Sequence, residues 1–136
     1  MKQDANRPIS VLIVDDEEPV RKFVDRVMRD AGYATSQAAD GAAALEVAST
    51  TGHVDILVTD VMMPEMLGDE LARRLRLSEP GLKVLYLTGY SDRLFKEKVT
   101  LWADEAYLDK PCSVKGLQQA ASLLLFGQLE RPAEQA

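Results

Sequence analysis

Five short strand-like runs alternate with segments of helical periodicity along this chain, and that alternation is what most restricts its fold. Residues 9–14 read ISVLIV, apolar and β-branched, the composition of a strand covered on both faces. The run stops at Asp15, Asp16 and Glu17. Residues 55–59 (DILVT) repeat the pattern and stop at Asp60. Residues 83–87 stop at Thr88-Gly89, and residues 105–108 at Asp109-Lys110-Pro111. Residues 34–38 are more polar and suit a sheet edge.

Between these runs the apolar residues recur every three or four positions. Val20, Phe23, Val24, Val27, Met28 and Ala31 follow Pro19, whose missing N–H suits a first helical turn, and Gly32 offers the end. Asp40-Gly41 marks a turn before a second helix carrying Ala44, Leu45, Val47 and Ala48. Residues 68–77 predict a third helix buried through Leu71, Ala72 and Leu75, and residues 92–99 a short one along Leu94, Phe95 and Val99. The last helix is expected from Val114 to about Gln128, on Leu117, Ala120, Ala121, Leu124 and Leu125.

Strands separated by helices call for parallel pairing, right-handed crossovers and helices on both faces. The expected class is therefore α/β with a five-stranded parallel sheet. The order 2-1-3-4-5 of flavodoxin-like folds is not readable from periodicity, but it is a common solution for five such units. Ligands in that architecture lie beyond the carboxyl ends of the strands, where the order reverses. Asp15, Asp16, Asp60, Thr88 and Lys110 all follow strand ends on that rim.

Three carboxylates gathered at one rim repel one another and lose hydration unless a cation shares the site. Their hard oxygens suit magnesium, which takes a few carboxylates, retained waters and phosphate oxygens. Lys110 adds a positive charge, and Thr88 a hydroxyl donor. Plainer readings exist for each residue alone. Asp15-Asp16 could cap the first helix, and Asp60 could be a strand-end turn residue. Thr88-Gly89 is a frequent turn, and Lys110-Pro111 an X-Pro pair able to adopt cis. All of these turns falling on one rim is what favours a site where an oxyanion is handled. Which carboxylate, if any, is modified stays open at this level.

Composition removes several classes of function. The 136 residues suit one domain, with residues 1–8 a flexible N-terminus, 9–128 the folded unit and 129–136 a tail. Sixteen basic against 22 acidic side chains give a net charge of −6, which argues against a module gripping a nucleic-acid backbone. A single cysteine, Cys112, permits no internal disulfide. MKQDANRP has no signal-peptide core, and no run approaches the roughly 18 apolar residues of a membrane span, so a cytoplasmic location is expected.

VLIVDDE, DILVTDVMMPEMLGDEL, VLYLTGY and AYLDKP, in that order and separation, resemble the response regulator receiver domain of two-component signalling. The likeness runs from about Ile9 to about Leu125. It implies that Asp60 accepts the phosphoryl group from a sensor histidine kinase or histidine phosphotransfer protein. It implies that Asp15 and Asp16 hold Mg2+ or Mn2+, with Asp16 the direct ligand and Asp15 acting through water, and that Met62 lends a backbone carbonyl. Thr88 matches the hydroxyl that turns toward the phosphoryl group, Tyr107 the aromatic that follows it, and Lys110 the lysine on a phosphoryl oxygen. Pro111 matches a cis proline, and Gly89 a small residue that leaves room. Such a domain catalyses its own magnesium-dependent phosphorylation and dephosphorylation rather than acting as a dedicated enzyme.

Two rival functions are a phosphorylation-independent binding module of the same fold and a small metal-dependent phosphatase. The complete Asp, Thr and Lys set argues against the first. The stretch Val61-Met62-Met63-Pro64, lacking a second carboxylate, argues against the second. FGQLERPAEQA, after Leu125, is too short to fold alone, which fits either a stand-alone receiver or one excised from a hybrid histidine kinase, as YLTGYSD suggests. The output protein is not legible. Leu123, Phe126 and Leu129 add apolar groups outside the last helix's core stripe, fitting either a homodimer or partner contact or a fold-back over the core. His53 reads as a surface loop residue on the opposite rim, Cys112 and Tyr33 as packing residues, and Trp102 as undecided between packing and a partner surface.

Overall fold

The computed structural model describes residues 7–89, 92 and 103–127. The strands are β1 (Ser10–Val14), β2 (Ala34–Ala38), β3 (Ile56–Asp60), β4 (Lys83–Thr88) and β5 (Glu105–Asp109). The helices are α1 (Glu18–Asp30), α2 (Gly41–Thr51), α3 (Gly68–Leu75) and α4 (Val114–Phe126). All strand pairs are parallel, in the order β2-β1-β3-β4-β5. The polar run β2 lies at an edge, as its composition predicts. The short helix expected at residues 92–99 lies, apart from Asp92, outside the described residues, as do Trp102 and Leu129.

Alternating side chains of the sheet feed two cores. Leu12, Val14, Leu57, Val84 and Tyr86 pack under α2 and α3 with Ala44, Leu71, Ala72 and Leu75. Val11, Ile13, Ile56, Val58, Leu85 and Leu87 pack under α1 and α4 with Val24, Val27, Met28, Leu117 and Ala121. β3 is buried along its whole length, so only its carboxyl end, at Asp60, meets the rim.

Several local expectations change. Pro19 does sit in the first turn of α1, but the N-cap is Glu17, and neither Asp15 nor Asp16 caps the helix. Asp40 is more than a turn residue, because its carboxylate caps α2 by accepting from Ala43 N at 2.8 Å. Helix α3 ends two residues before the predicted Leu77, where Arg76 turns toward the sheet. Gly127, in the left-handed region at φ 73, closes α4 after Phe126, before the expected Gln128. Phe23 leaves the buried stripe of α1 and is 38% exposed. His53 is half-buried rather than a plain surface residue, its Nε2 2.7 Å from Asp55 and its Nδ1 3.0 Å from Glu79. Leu123 and Phe126 are exposed, so Phe126 does not fold back over the core.

Arg76 staples the amino end of the sheet. Its Nη1 meets Glu105 at 2.6 Å, its Nη2 meets Asp104 at 3.2 Å, and its Nε and Nη2 donate to the Leu82 carbonyl. Tyr86 also donates to Glu105, and burial pushes its phenol above the usual range. Arg76→Ala strips the guanidinium from a buried carboxylate and is expected to cost about 2 kcal/mol in urea denaturation, discounted from fully buried pairs for the arginine's partial exposure.

Candidate phosphoryl and metal site

The site residues reach the rim because each strand stops one residue short of them or on them. After β1, Asp15 N donates to the Ala38 carbonyl, and Asp15 Oδ1 accepts from Glu17 N at 2.9 Å, fixing the turn into α1. Arg21 donates to the Asp15 carbonyl at 2.8 Å and to Gln37 at 3.3 Å, tying that turn to β2. Asp60 ends β3 opposite Leu87, and Val61 N continues the ladder to Leu87 O. Lys110 follows β5, with its N–H donating to Thr88 O at 2.8 Å. The Lys110-Pro111 peptide is cis, as the resemblance implies.

Asp15, Asp16 and Asp60 bring one carboxylate oxygen each within 4.8 Å of one another. Asp15 is fully buried, Asp60 nearly so, and Asp16 is exposed. Lys110 Nζ lies 3.1 Å from Asp15 Oδ2, 3.3 Å from Asp60 Oδ1 and 3.6 Å from Glu17 Oε1. The ammonium therefore bridges the two buried carboxylates.

The electrostatics follow from that crowding. Burial pushes Asp60 up to about 6, and the Asp15 charge adds to the rise, while Lys110 offsets part of it. Burial also raises Asp15, against the Glu17 N–H and the Lys110 charge. For Lys110 burial acts downward, but Asp15 and Asp60 together outweigh it and hold the ammonium above its usual value. One lysine for three carboxylates leaves the site short of positive charge. The buried Asp15 Oδ2, although beside Lys110, receives no aligned hydrogen bond. Hard oxygen donors, a charge deficit and a buried oxygen met only by the lysine's charge together fit a divalent cation.

Thr88 is fully buried at the end of β4, and Tyr107, on β5, is 43% exposed. Met62 has an exposed side chain in the turn after β3. An apolar groove of about 370 Å3 adjoins Lys110, lined by Pro19, Val20, Phe23, Pro111 and Cys112. Burial raises the Cys112 thiol, which packs against the α1/α4 core as the sequence suggests.

Four contributors went unnoticed in the sequence. Arg21 pins the Asp15 turn, Gly68 permits close packing behind Asp60, Asp92 accepts from Gly89 N at 2.8 Å, and Asp109 accepts from the Thr88 hydroxyl at 3.2 Å. Only Asp109 carried a signal, as a carboxylate adjoining Lys110.

Comparison with known proteins agrees with this geometry. The family model described as "Response regulator receiver domain" matches residues 11–122. The sensor kinase CckA of Brucella abortus is 37% identical over 126 residues, covering 92% of this chain and 13% of that protein. The response regulator receiver protein CpdR of the same organism is 32% identical over 116 residues, covering 85% of this chain and 96% of CpdR. The crystal structure of a receiver domain from the hybrid histidine kinase CckA superposes with a TM-score of 0.72 at 29% identity, covering 85% of this chain and 98% of that one. With the family model spanning all five strands and the acidic rim between them, this chain belongs to the response regulator receiver domain family.

Proposed function

We propose that Asp60 accepts a phosphoryl group from a histidine kinase or histidine phosphotransfer protein in the cytoplasm, and that the modification switches a partner-binding surface. The observation that carries this reading is Lys110 set 3.3 Å from Asp60 and 3.1 Å from Asp15 within a cluster of three carboxylates. One Asp60 carboxylate oxygen attacks the phosphorus of a phosphohistidine. The P–N bond breaks, the imidazole leaves and takes a proton, and an acyl phosphate remains on Asp60. A carboxylate is a weak nucleophile, so alignment and charge neutralisation supply the catalysis. Lys110 Nζ holds one phosphoryl oxygen, while the Thr88 hydroxyl turns to donate to another. In dephosphorylation water attacks phosphorus, the bond from phosphorus to the Asp60 oxygen breaks, and inorganic phosphate leaves, which restores the carboxylate and reverses the charge change.

Asp16, Asp60, the Met62 carbonyl and, through water, Asp15 would hold the cation. Magnesium bound there supplies charge neutralisation for the phosphoryl oxygens, with manganese able to substitute. The apolar groove beside Lys110 offers a seat for the helix that presents the phosphohistidine. Likeness to a sensor kinase over 92% of the chain supports a place in a hybrid-kinase phosphorelay. Exposed Tyr107, Leu123 and Phe126 on β5 and α4 are the surface proposed for the output partner or a second copy. Among the described residues, no helix is long and apolar enough to cross a membrane.

Intact-mass analysis after incubation with magnesium and a small acyl-phosphate donor tests the reading. One phosphoryl group should be gained and mapped to Asp60, and none should be gained when a chelator is present from the start. A stable acyl phosphate elsewhere, at undiminished yield in Asp60→Asn, would overturn it.

A further inference from the structure

We propose that Asp109 is a positioning residue for the switch: its carboxylate holds the Thr88 hydroxyl in the unphosphorylated protein and so opposes capture of a phosphoryl group. This inference rests on the reading that Thr88 donates to the modified Asp60. The register of the sheet creates the contact. Thr88 stands opposite Asp109 where β4 pairs with β5, and partners in a parallel pair present their side chains to the same face. Lys110 N donating to Thr88 O closes the ladder just beyond them, so the two side chains stay adjacent. Thr88 Oγ1 then donates to Asp109 Oδ1 at 3.2 Å.

The chemistry makes this contact a competition. A threonine hydroxyl carries a single hydrogen, so it serves Asp109 or a phosphoryl oxygen, not both. Thr88 has no exposed surface, which leaves no bulk water to take over when the contact breaks. Next along the chain, Gly89 N donates to Asp92 Oδ2 at 2.8 Å, so a second donor of this segment is also engaged by a carboxylate. Tyr107 precedes Asp109 by two residues and shares its face of β5, where it is 43% exposed. Releasing Thr88 from Asp109 thus empties a place directly beside the aromatic residue that is to move. The latch and the switch occupy one face of one strand.

The test is titration of the metal-loaded protein with beryllofluoride, a phosphoryl mimic, followed by amide NMR. Asp109→Ala should bind the mimic roughly 3–10-fold more tightly, the value of one hydrogen bond to a charged acceptor with one partner exposed. Asp109→Asn keeps an oxygen that accepts from Thr88, and should stay within about twofold of the wild type. In a Thr88→Ala background, Asp109→Ala should change nothing, since its route of action is gone. An unchanged affinity in Asp109→Ala overturns the inference. So does an Asp109→Asn effect equal to that of Asp109→Ala, or a gain that survives in Thr88→Ala, because either result traces the effect to net charge alone. A wild-type protein that ignores beryllofluoride in magnesium would instead remove the phosphoacceptor reading beneath it.

Discussion

Asp60→Asn is expected to stabilise the metal-free protein by about 3 kcal/mol at pH 8, even as it ends phosphoryl uptake. Burial and the Asp15 charge lift the Asp60 carboxyl from 3.8 to about 6 in the folded protein. The folded state therefore holds a proton that the unfolded state has released between these values. Stability attributable to Asp60 is full below pH 3.8, falls as pH rises toward about 6, and is lost above it. Asparagine keeps the shape and carries no charge at any pH. The gap between variant and wild type should accordingly vanish near pH 4, open through pH 6 and plateau beyond, reaching roughly 10 °C in melting temperature. Magnesium is expected to narrow it, because only the wild type keeps the full set of carboxylates and gains binding energy in the folded state. Thermal denaturation in a chelator from pH 4 to pH 8 measures this directly. A stability difference that does not change with pH would show that the Asp60 charge is not what crowds the rim.

That crowding was legible in the sequence only as far as chain order could carry it. ISVLIV before Asp15 and DILVT before Asp60 mark strand ends because a buried run cannot accommodate a carboxylate until it reaches water. Order in the sheet is different, since nothing in the periodicity says that β3 lies beside β1, and the topology came from the commonness of one solution. Once that order holds, the rim assignment of Asp15, Asp16, Asp60, Thr88 and Lys110 follows. Contacts made across strands were beyond reach. The Thr88–Asp109 bond depends on the register of β4 against β5, and the His53 contacts depend on bringing Glu79 to the amino end of β3. Phe23 misled for a related reason. Helical spacing places it beside Val24 and Val27, but it lies at the edge of that stripe, where the groove by Pro111 replaces the core.

Gly68 is the case where the backbone path decides everything, and Gly68→Ala is expected to destabilise the protein by about 3 kcal/mol or more. A Cβ added there would collide with the Asp60 carbonyl oxygen and press on Thr59 Cγ2 and Val61 Cα, both at 3.2 Å. None of these atoms is free to yield. Val61 N is bonded to Leu87 O on β4, and Gly68 N to Val61 O at 2.8 Å, which brings the start of α3 back onto the end of β3. If α3 moves outward, the Gly68–Val61 bond breaks and buried Leu71 and Ala72 lose their packing. If β3 bends instead, Asp60 shifts within the cluster, and magnesium binding should weaken roughly 10-fold or more, as when other supports of a metal site are removed. Gly41→Ala provides the contrast. Its Cβ would meet Met66 Sδ at 2.6 Å, which can rotate away, and Met66 Cβ at 3.0 Å, which must give by a few tenths of an ångström, while alanine improves the helix. That variant should cost less than Gly68→Ala, on the order of 1 kcal/mol, because side-chain atoms rather than backbone oppose the added methyl. Urea denaturation of the two variants side by side, with calorimetric magnesium titration of Gly68→Ala, separates backbone collision from a general intolerance of added methyls. A Gly68→Ala protein with wild-type stability and wild-type metal affinity would mean that the close approach of α3 to Asp60 plays no part in holding the site.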